Sequence, residues 1–249
     1  TSLIYSFTDY NGLFYTKLGL ENYQNMFDFS FSGLGKDVFK SFGVTFEWAL
    51  ISIPLGLVLS FMLALLASKE VKGVGVYRLL FYMPTIIPSI AISFIWADTF
   101  SSDGLANQLL LSLGLPPSMW LEGESTALWT LILTGVWGIG GNMIMWLASL
   151  RNIPPELYEA ASLDGAGYFT NLFRITIPLC TPMIFYNLLN ALIGAMQAFD
   201  VYAMVGHGPN DSLYFISIRI YETAFGSGNE YGLACAMGWL MFAVIAVLT

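Results

Sequence analysis

Four amides in apolar surroundings are the residues whose type and spacing could do chemistry. Asn187, Asn190 and Gln197 fall at i, i+3 and i+10, with Gly194 at i+7. At 3.6 residues per turn that spacing makes one stripe on a helix. Amides both donate and accept, which suits hydroxyl-rich solutes. Asn142, inside Gly140-Gly141-Asn142, is the fourth candidate. Two readings fit these amides: they line a solute path, or they are interhelical hydrogen-bond glue. Phe185 and Tyr186, with Trp137 and Trp146 in the preceding run, place aromatic faces nearby in sequence. Catalytic patterns are missing. His207 is the only histidine, so H-E-x-x-H cannot be built. G-x-S-x-G does not occur. Gly35-Lys36 lacks the earlier glycine and the Ser/Thr of a phosphate-cradling loop. Cys180 and Cys235 lie in apolar stretches and read as small packed hydrophobes.

The elements that must hold these amides follow from composition. Of 249 residues only 10% are charged, while 56% are hydrophobic and 16% aromatic. Soluble domains carry roughly 25% charge. The net charge of -8 argues against nucleic acid as a partner. Five runs lack Asp, Glu, Lys and Arg: 48–67, 79–97, 125–150, 175–199 and 231–249. About 20 helical residues cross the ~30 Å hydrocarbon core. Backbone groups in lipid must pair internally, and the runs do not alternate as barrel strands would, so each run predicts a spanning helix. Pro54, Pro84, Pro88, Pro178 and Pro182 fall inside these runs and predict kinks.

Basic residues set the orientation. Lys69, Lys72 and Arg78 mark 68–78, and Arg151 and Arg174 mark the fourth connection. Residues 98–124 carry no Lys or Arg, and 200–230 carry only Arg219. The positive-inside rule places 68–78 and 151–174 in the cytoplasm and the other two loops outside. Residues 8–40 then lie outside despite Lys17, Lys36 and Lys40, which Asp9, Glu21, Asp28 and Asp37 accompany. The opening Thr1-Ser2-Leu3-Ile4-Tyr5-Ser6-Phe7 reads as the outer end of a truncated first helix, and the stop at Thr249 as the loss of a C-terminal tail.

The segment 151–178, RNIPPELYEAASLDGAGYFTNLFRITIP, has helix signals of its own. Asn152 can cap, and Pro154-Pro155 suit a helix start. Glu156 and Glu159 complement the dipole, and Leu157, Tyr158 and Ala161 form an apolar face. Gly165 stops the helix, and a second short helix is expected from Tyr168 to Arg174 before Pro178 starts the next span. A short helix of this kind suits a groove on a partner protein.

Glu159-Ala160-Ala161, Gly165, Ile175 and Ile177-Pro178 resemble the E-A-A-x3-G-x9-I-x-L-P loop of binding-protein-dependent ABC importer permeases. Ile177 stands where Leu is usual. Weaker likenesses run along the chain: Ser6-Phe7-Thr8-Asp9-Tyr10-Asn11; Gly19-Leu20-Glu21-Asn22-Tyr23; Phe81-Tyr82-Met83-Pro84 with Pro88; and Phe199-Asp200 with Gly206-His207-Gly208-Pro209, where His207 replaces the usual Gly. These are similar to elements of carbohydrate-uptake permeases of the maltose and glycerol-phosphate type.

The resemblance implies an all-α polytopic membrane protein with the type I importer fold: one transmembrane domain over 1–249, with 1–40 as the end of the first helix plus an external segment, and 151–174 as the cytoplasmic coupling loop. It implies that Glu159, Ala160, Ala161 and Gly165 grip a cytoplasmic ABC ATPase dimer. A second permease subunit completing a heterodimer, an extracytoplasmic solute-binding protein and membrane lipid are the other implied partners. No cofactor is expected on this chain, ATP being bound by the ATPase. The expected activity is non-catalytic: a path for a sugar or sugar derivative. The alternatives are a permease for another small polar solute, a secondary transporter or an intramembrane enzyme.

Overall fold

A computed structural model of the chain describes residues 1–249 apart from 16, 32, 70, 71 and 227. In order the helices are α1 (Ser2–Tyr5), α2 (Glu21–Met26), α3 (Gly35–Ser68), α4 (Val74–Tyr82), α5 (Ser89–Thr99), α6 (Leu105–Ser112), α7 (Glu124–Val136), α8 (Gly140–Arg151), α9 (Pro155–Leu163), α10 (Tyr168–Asn171), α11 (Ile177–Leu179), α12 (Thr181–Met196), α13 (Asp200–Val205), α14 (Ile216–Phe225) and α15 (Tyr231–Leu248). The fold is all-α, with an isolated antiparallel bridge between Thr8 and Leu18.

Helices α3 and α15 are each long and apolar enough to cross a membrane. Three further spans arise when helices on either side of a short break are joined: Val74–Ile86 with Ser89–Thr99, Glu124–Val136 with Gly140–Arg151, and Tyr168–Leu179 with Thr181–Met196. Each of the five charge-free runs of the sequence therefore coincides with one candidate span: two are single helices, and three are bent pairs that cross only if the pair acts as one span. Proline chemistry explains two breaks. Ile87 is extended (φ -74, ψ 133), as a residue before proline prefers. Pro182 has no N–H to offer the carbonyl four residues back, and the helix axis turns by 66° between Tyr168–Leu179 and Thr181–Met196. Pro54, by contrast, lies within α3 without ending it.

The chain divides into two compact units: residues 1–50, 89–131 and 192–249, and residues 51–88 and 132–191. In the first, one cluster joins Met26, Val38 and Phe42 to Ile216, Leu233, Ala236 and Met237. Another joins Ala127 and Leu131 to Val201, Leu213, Phe215 and Ile218. Buried Ser41 and Thr45, one turn apart on α3, serve α14: the Ile216 amide donates to Thr45 Oγ1 (3.1 Å), and Arg219 Nε donates to Ser41 Oγ (2.9 Å). The two N-terminal sequence elements meet each other here. Asn22 Nδ2 donates to the carbonyls of Ser6 (3.0 Å) and Thr8 (2.8 Å), and the Tyr23 hydroxyl to Ser6 Oγ (2.8 Å).

In the second unit Ala64 and Ala67 of α3 pack with Met143, Trp146, Leu147, Ile153 and Cys180. Trp146 Nε1 donates to Ser60 Oγ at 3.0 Å, satisfying both buried groups. The Arg78 guanidinium donates twice to the Ala67 carbonyl (3.1 and 2.7 Å), near the end of α3 where carbonyls lack helical partners. Gly140 lies against the backbone of α4, where a Cβ would overlap the Phe81 carbonyl, so only glycine permits this approach.

Candidate functional site

Helix α9 is short because both ends are written in its sequence. Pro154 is its N-cap, and Pro155 takes the first turn, where a missing N–H costs nothing. The Asn152 cap expected from sequence is not used: Asn152 instead closes α8 at its C-terminal end. At the other end Gly165 adopts φ +77. The Ala166 amide reaches back to the Ala161 carbonyl (2.9 Å) and the Gly165 amide to the Ser162 carbonyl (3.1 Å). These are the paired bonds of a Schellman stop.

The stop decides which residues of α9 project. Tyr158 turns inward, packs on the Trp146 cluster and hydrogen-bonds Thr176 Oγ1 at 2.9 Å. Glu156, Leu157, Glu159, Ala160 and Leu163 are exposed, Leu163 at 89%. Leu157 and Tyr158 thus do not share the single apolar face expected of them: adjacent residues stand about 100° apart on a helix. Gly165, Glu159 and Ala160 are exposed and Ala161 half-buried, so the glutamate–alanine–glycine run leaves small residues and one carboxylate accessible. Small residues beside an acceptor make a shelf suited to close approach by a partner carrying basic or amide donors.

The second short helix does not end at Arg174. It runs from Tyr168 through a π-turn at Leu172–Thr176 to Leu179, and the break falls at Cys180 rather than before Pro178. The loop helix and the next span are therefore one continuous rod up to that break.

The four amides differ in their surroundings. Asn187 is 4% exposed, and its Nδ2 has no hydrogen-bond partner among the described residues. Leaving a buried donor unpaired costs about 1–3 kcal/mol, which marks it as a candidate contact. Asn190 is exposed and bonds the Tyr186 carbonyl of its own helix (2.8 Å). Asn142 is exposed on α8. Gln197 lies beyond the end of α12 and belongs to the other compact unit, so the stripe stops before it. The helix ends at Met196 and the 3.6-residue period ends with it. Trp146, buried to 2% exposure, offers no ring to a solute, whereas Trp137, Phe185 and Tyr186 are exposed.

A polar centre that sequence reading missed sits in the loop between the last two spans. His207 Nε2 lies 2.8 Å from both oxygens of Glu222, and Nδ1 lies 3.5 Å from Asp211 Oδ1. The imidazole stacks on Tyr214 (3.9 Å between centroids), whose hydroxyl donates to Glu222 at 2.7 Å. Arg219 covers the Tyr214 ring at 4.5 Å, and Lys40 pairs with Asp211 at 3.5 Å. Burial pushes the Glu222 carboxyl up, but the hydrogen bonds from Tyr214 and His207 outweigh it and hold it below the usual carboxylate value. Burial and the bond to Glu222 push the Tyr214 phenol well above its ordinary range. The only available signal was a histidine in a glycine-rich turn, and its partner lies fifteen residues away across that turn.

Against known proteins, residues 56–249 match the family described as binding-protein-dependent transport system inner membrane component. The chain is 37% identical over its full length, and over 80% of the relative, to the probable ABC transporter permease protein YesP of Bacillus subtilis (strain 168). It is 30% identical to the trehalose/maltose transport system permease protein MalF of Thermococcus litoralis, covering 93% of this chain and 77% of that one. In fold it is similar to a chain of a bacterial ABC transporter involved in the import of the acidic polysaccharide alginate: TM-score 0.82, 23% identity, 93% of this chain and 80% of the other.

Proposed function

The chain belongs to the family of binding-protein-dependent transport system inner membrane components, and from that premise we propose that it is the sugar-path subunit of an ATP-driven importer. It is a membrane permease with no catalytic role of its own. The solute class is supported by relatives whose names specify trehalose/maltose, lactose and arabinooligosaccharides. The proposed partners are a cytoplasmic ABC ATPase dimer, a second permease subunit and an extracytoplasmic binding protein. The proposed setting is the cell membrane, with 68–78 and 151–174 on the cytoplasmic side.

The observation that carries the coupling role is α9: an exposed helix with its own glycine stop, held through Tyr158, and showing Glu159, Ala160 and Gly165 outward. A rod that is continuous from Tyr168 to Leu179 can pass a push on α9 toward the span bearing Asn187 and Asn190. Asn187, with its unspent donor, is the proposed contact for a sugar hydroxyl or for the second permease; Asn142, Asn190 and Gln197 are proposed as further contacts on the path.

Glu159→Lys tests the reading in the assembled importer. Glu159 is exposed, so membrane insertion and thermal stability should hold, while ATP-driven sugar uptake should collapse. Uptake at the wild-type rate would defeat the coupling assignment.

A further inference from the structure

The loop unit contains a cavity of about 610 Å³ lined by Tyr202, Tyr221, Phe225 and Thr223 together with Glu222 and Glu230. Its size falls within the ~300–1,000 Å³ of small-ligand sites. The three rings do not stack flat. Tyr202 and Tyr221 meet at 56° with centroids 5.9 Å apart, and Tyr221 and Phe225 at 44° and 5.1 Å, so together they form a cup. Tyr221 is 42% exposed and Phe225 62% exposed.

The cup is held from behind. Glu222, beside Tyr202 in the lining, accepts from Tyr214 and pairs with His207. Phe199 braces Tyr221 edge-on at 5.0 Å, and Tyr231 braces Phe225 at 5.8 Å. The far wall is fixed by the backbone: the Gly226 amide donates to the Glu222 carbonyl (2.7 Å), and the Glu230 amide to the Thr223 carbonyl (3.0 Å). Glu222 is thus committed to neighbours, while Glu230 is exposed and makes no ion pair among the described residues.

We propose that this cavity is a docking subsite for one ring of a neutral saccharide, built from residues other than the amides of α8 and α12. The proposal rests on the sugar reading above. A sugar ring has an apolar C–H face and a rim of hydroxyls. The negative faces of the Tyr and Phe rings take the first. Glu230 and the Thr223 hydroxyl accept from the second. The two carboxylates in the lining repel the carboxylate of a uronate, so the subsite discriminates against acidic sugars.

The test uses the complete importer in lipid nanodiscs without its binding protein. The probes are maltose, lactose, arabinobiose and digalacturonate, followed by saturation-transfer NMR. The wild type should saturate the C–H protons of at least one neutral probe. Tyr221→Ala and Phe225→Ala should each weaken Kd roughly tenfold, the scale of an aromatic contact. Tyr221→Phe, which keeps the ring, should keep the affinity. Glu230→Gln should improve digalacturonate binding. An unchanged Kd in both alanine variants, no saturation of any neutral probe, or wild-type preference for digalacturonate would each overturn the subsite. Uptake with the binding protein restored separates the two claims. If a neutral sugar is taken up while its binding ignores these variants, the subsite falls and the sugar reading stands. If no saccharide is taken up, both fall.

Discussion

The amide of Ala166 donates to the carbonyl of Ala161 at 2.9 Å, across a glycine with φ +77. That bond ends α9 at Leu163, with Asp164 as its C-cap, and fixes how far the helix carrying the Glu159–Ala161 shelf extends. The requirement on Gly165 is one of backbone conformation, because a Cβ there would meet no atom within 4 Å.

A graded series at Gly165 follows. A left-handed conformation costs an ordinary L-residue roughly 1–2 kcal/mol, and Asn tolerates it better than β-branched residues do. Gly165→Asn should keep the Schellman bonds and most ATP-driven uptake. Gly165→Val should fray the end of α9 and lose uptake, with little change in the melting of the spans. Equal uptake in the two variants would show that the stop is not what positions the shelf.

Gly140 makes the opposite demand, one of space. A Cβ there would overlap the Phe81 carbonyl, a backbone atom that cannot swing aside. Gly140→Ala should therefore push α8 off α4 and destabilise the protein by about 1–3 kcal/mol, the usual cost of overpacking. Neighbouring Gly141, whose Cβ would meet only the Thr85 side chain, at 3.3 Å from Cγ2, should tolerate Ala better. Thermal melting of the two variants in detergent checks this, and an equal loss in both would contradict it.

Acid should loosen the loop between the last two spans. The Glu222 carboxyl is held below its ordinary 4.5 against the opposing effect of burial, by bonds from Tyr214 and His207. A depressed carboxyl contributes its full stabilisation above the unfolded value and loses it as pH falls through the lower folded one. Protease sensitivity of residues 206–215 should thus rise below about pH 4.5 in the wild type. Glu222→Gln should be more sensitive at neutral pH and should lack this acid step. An acid step of the same size in Glu222→Gln would assign it to another group.

Five candidate spans, the short helix at 155–163 and its glycine stop were legible in sequence because each rests on local rules. A charge-free run of about 20 residues has no alternative in lipid, since its backbone must pair with itself. Pro154-Pro155 and Gly165 act within one turn of where they stand. Asn152 was misread because a residue between two helices can end one or begin the next, and only the path of the chain chooses. The amide stripe failed at Gln197 for a similar reason: helical period applies only while the helix lasts, and α12 ends at Met196.

By itself, then, the sequence determined an apolar helical chain, its candidate crossings and a short helix at 155–163 with exposed Glu159 and Ala160. Tertiary structure alone decided that Asn187 is buried with a spare donor while Asn190 is spent on its own helix, and that Trp146 is closed off by Ser60. It alone decided that His207, Tyr214, Glu222 and Arg219 form one centre beside an aromatic cup. Apart from the Asn190–Tyr186 bond, which keeps the helical i,i+4 spacing, those relationships join residues whose separation follows no helical period, so they exist only once the tertiary fold has brought the groups within reach.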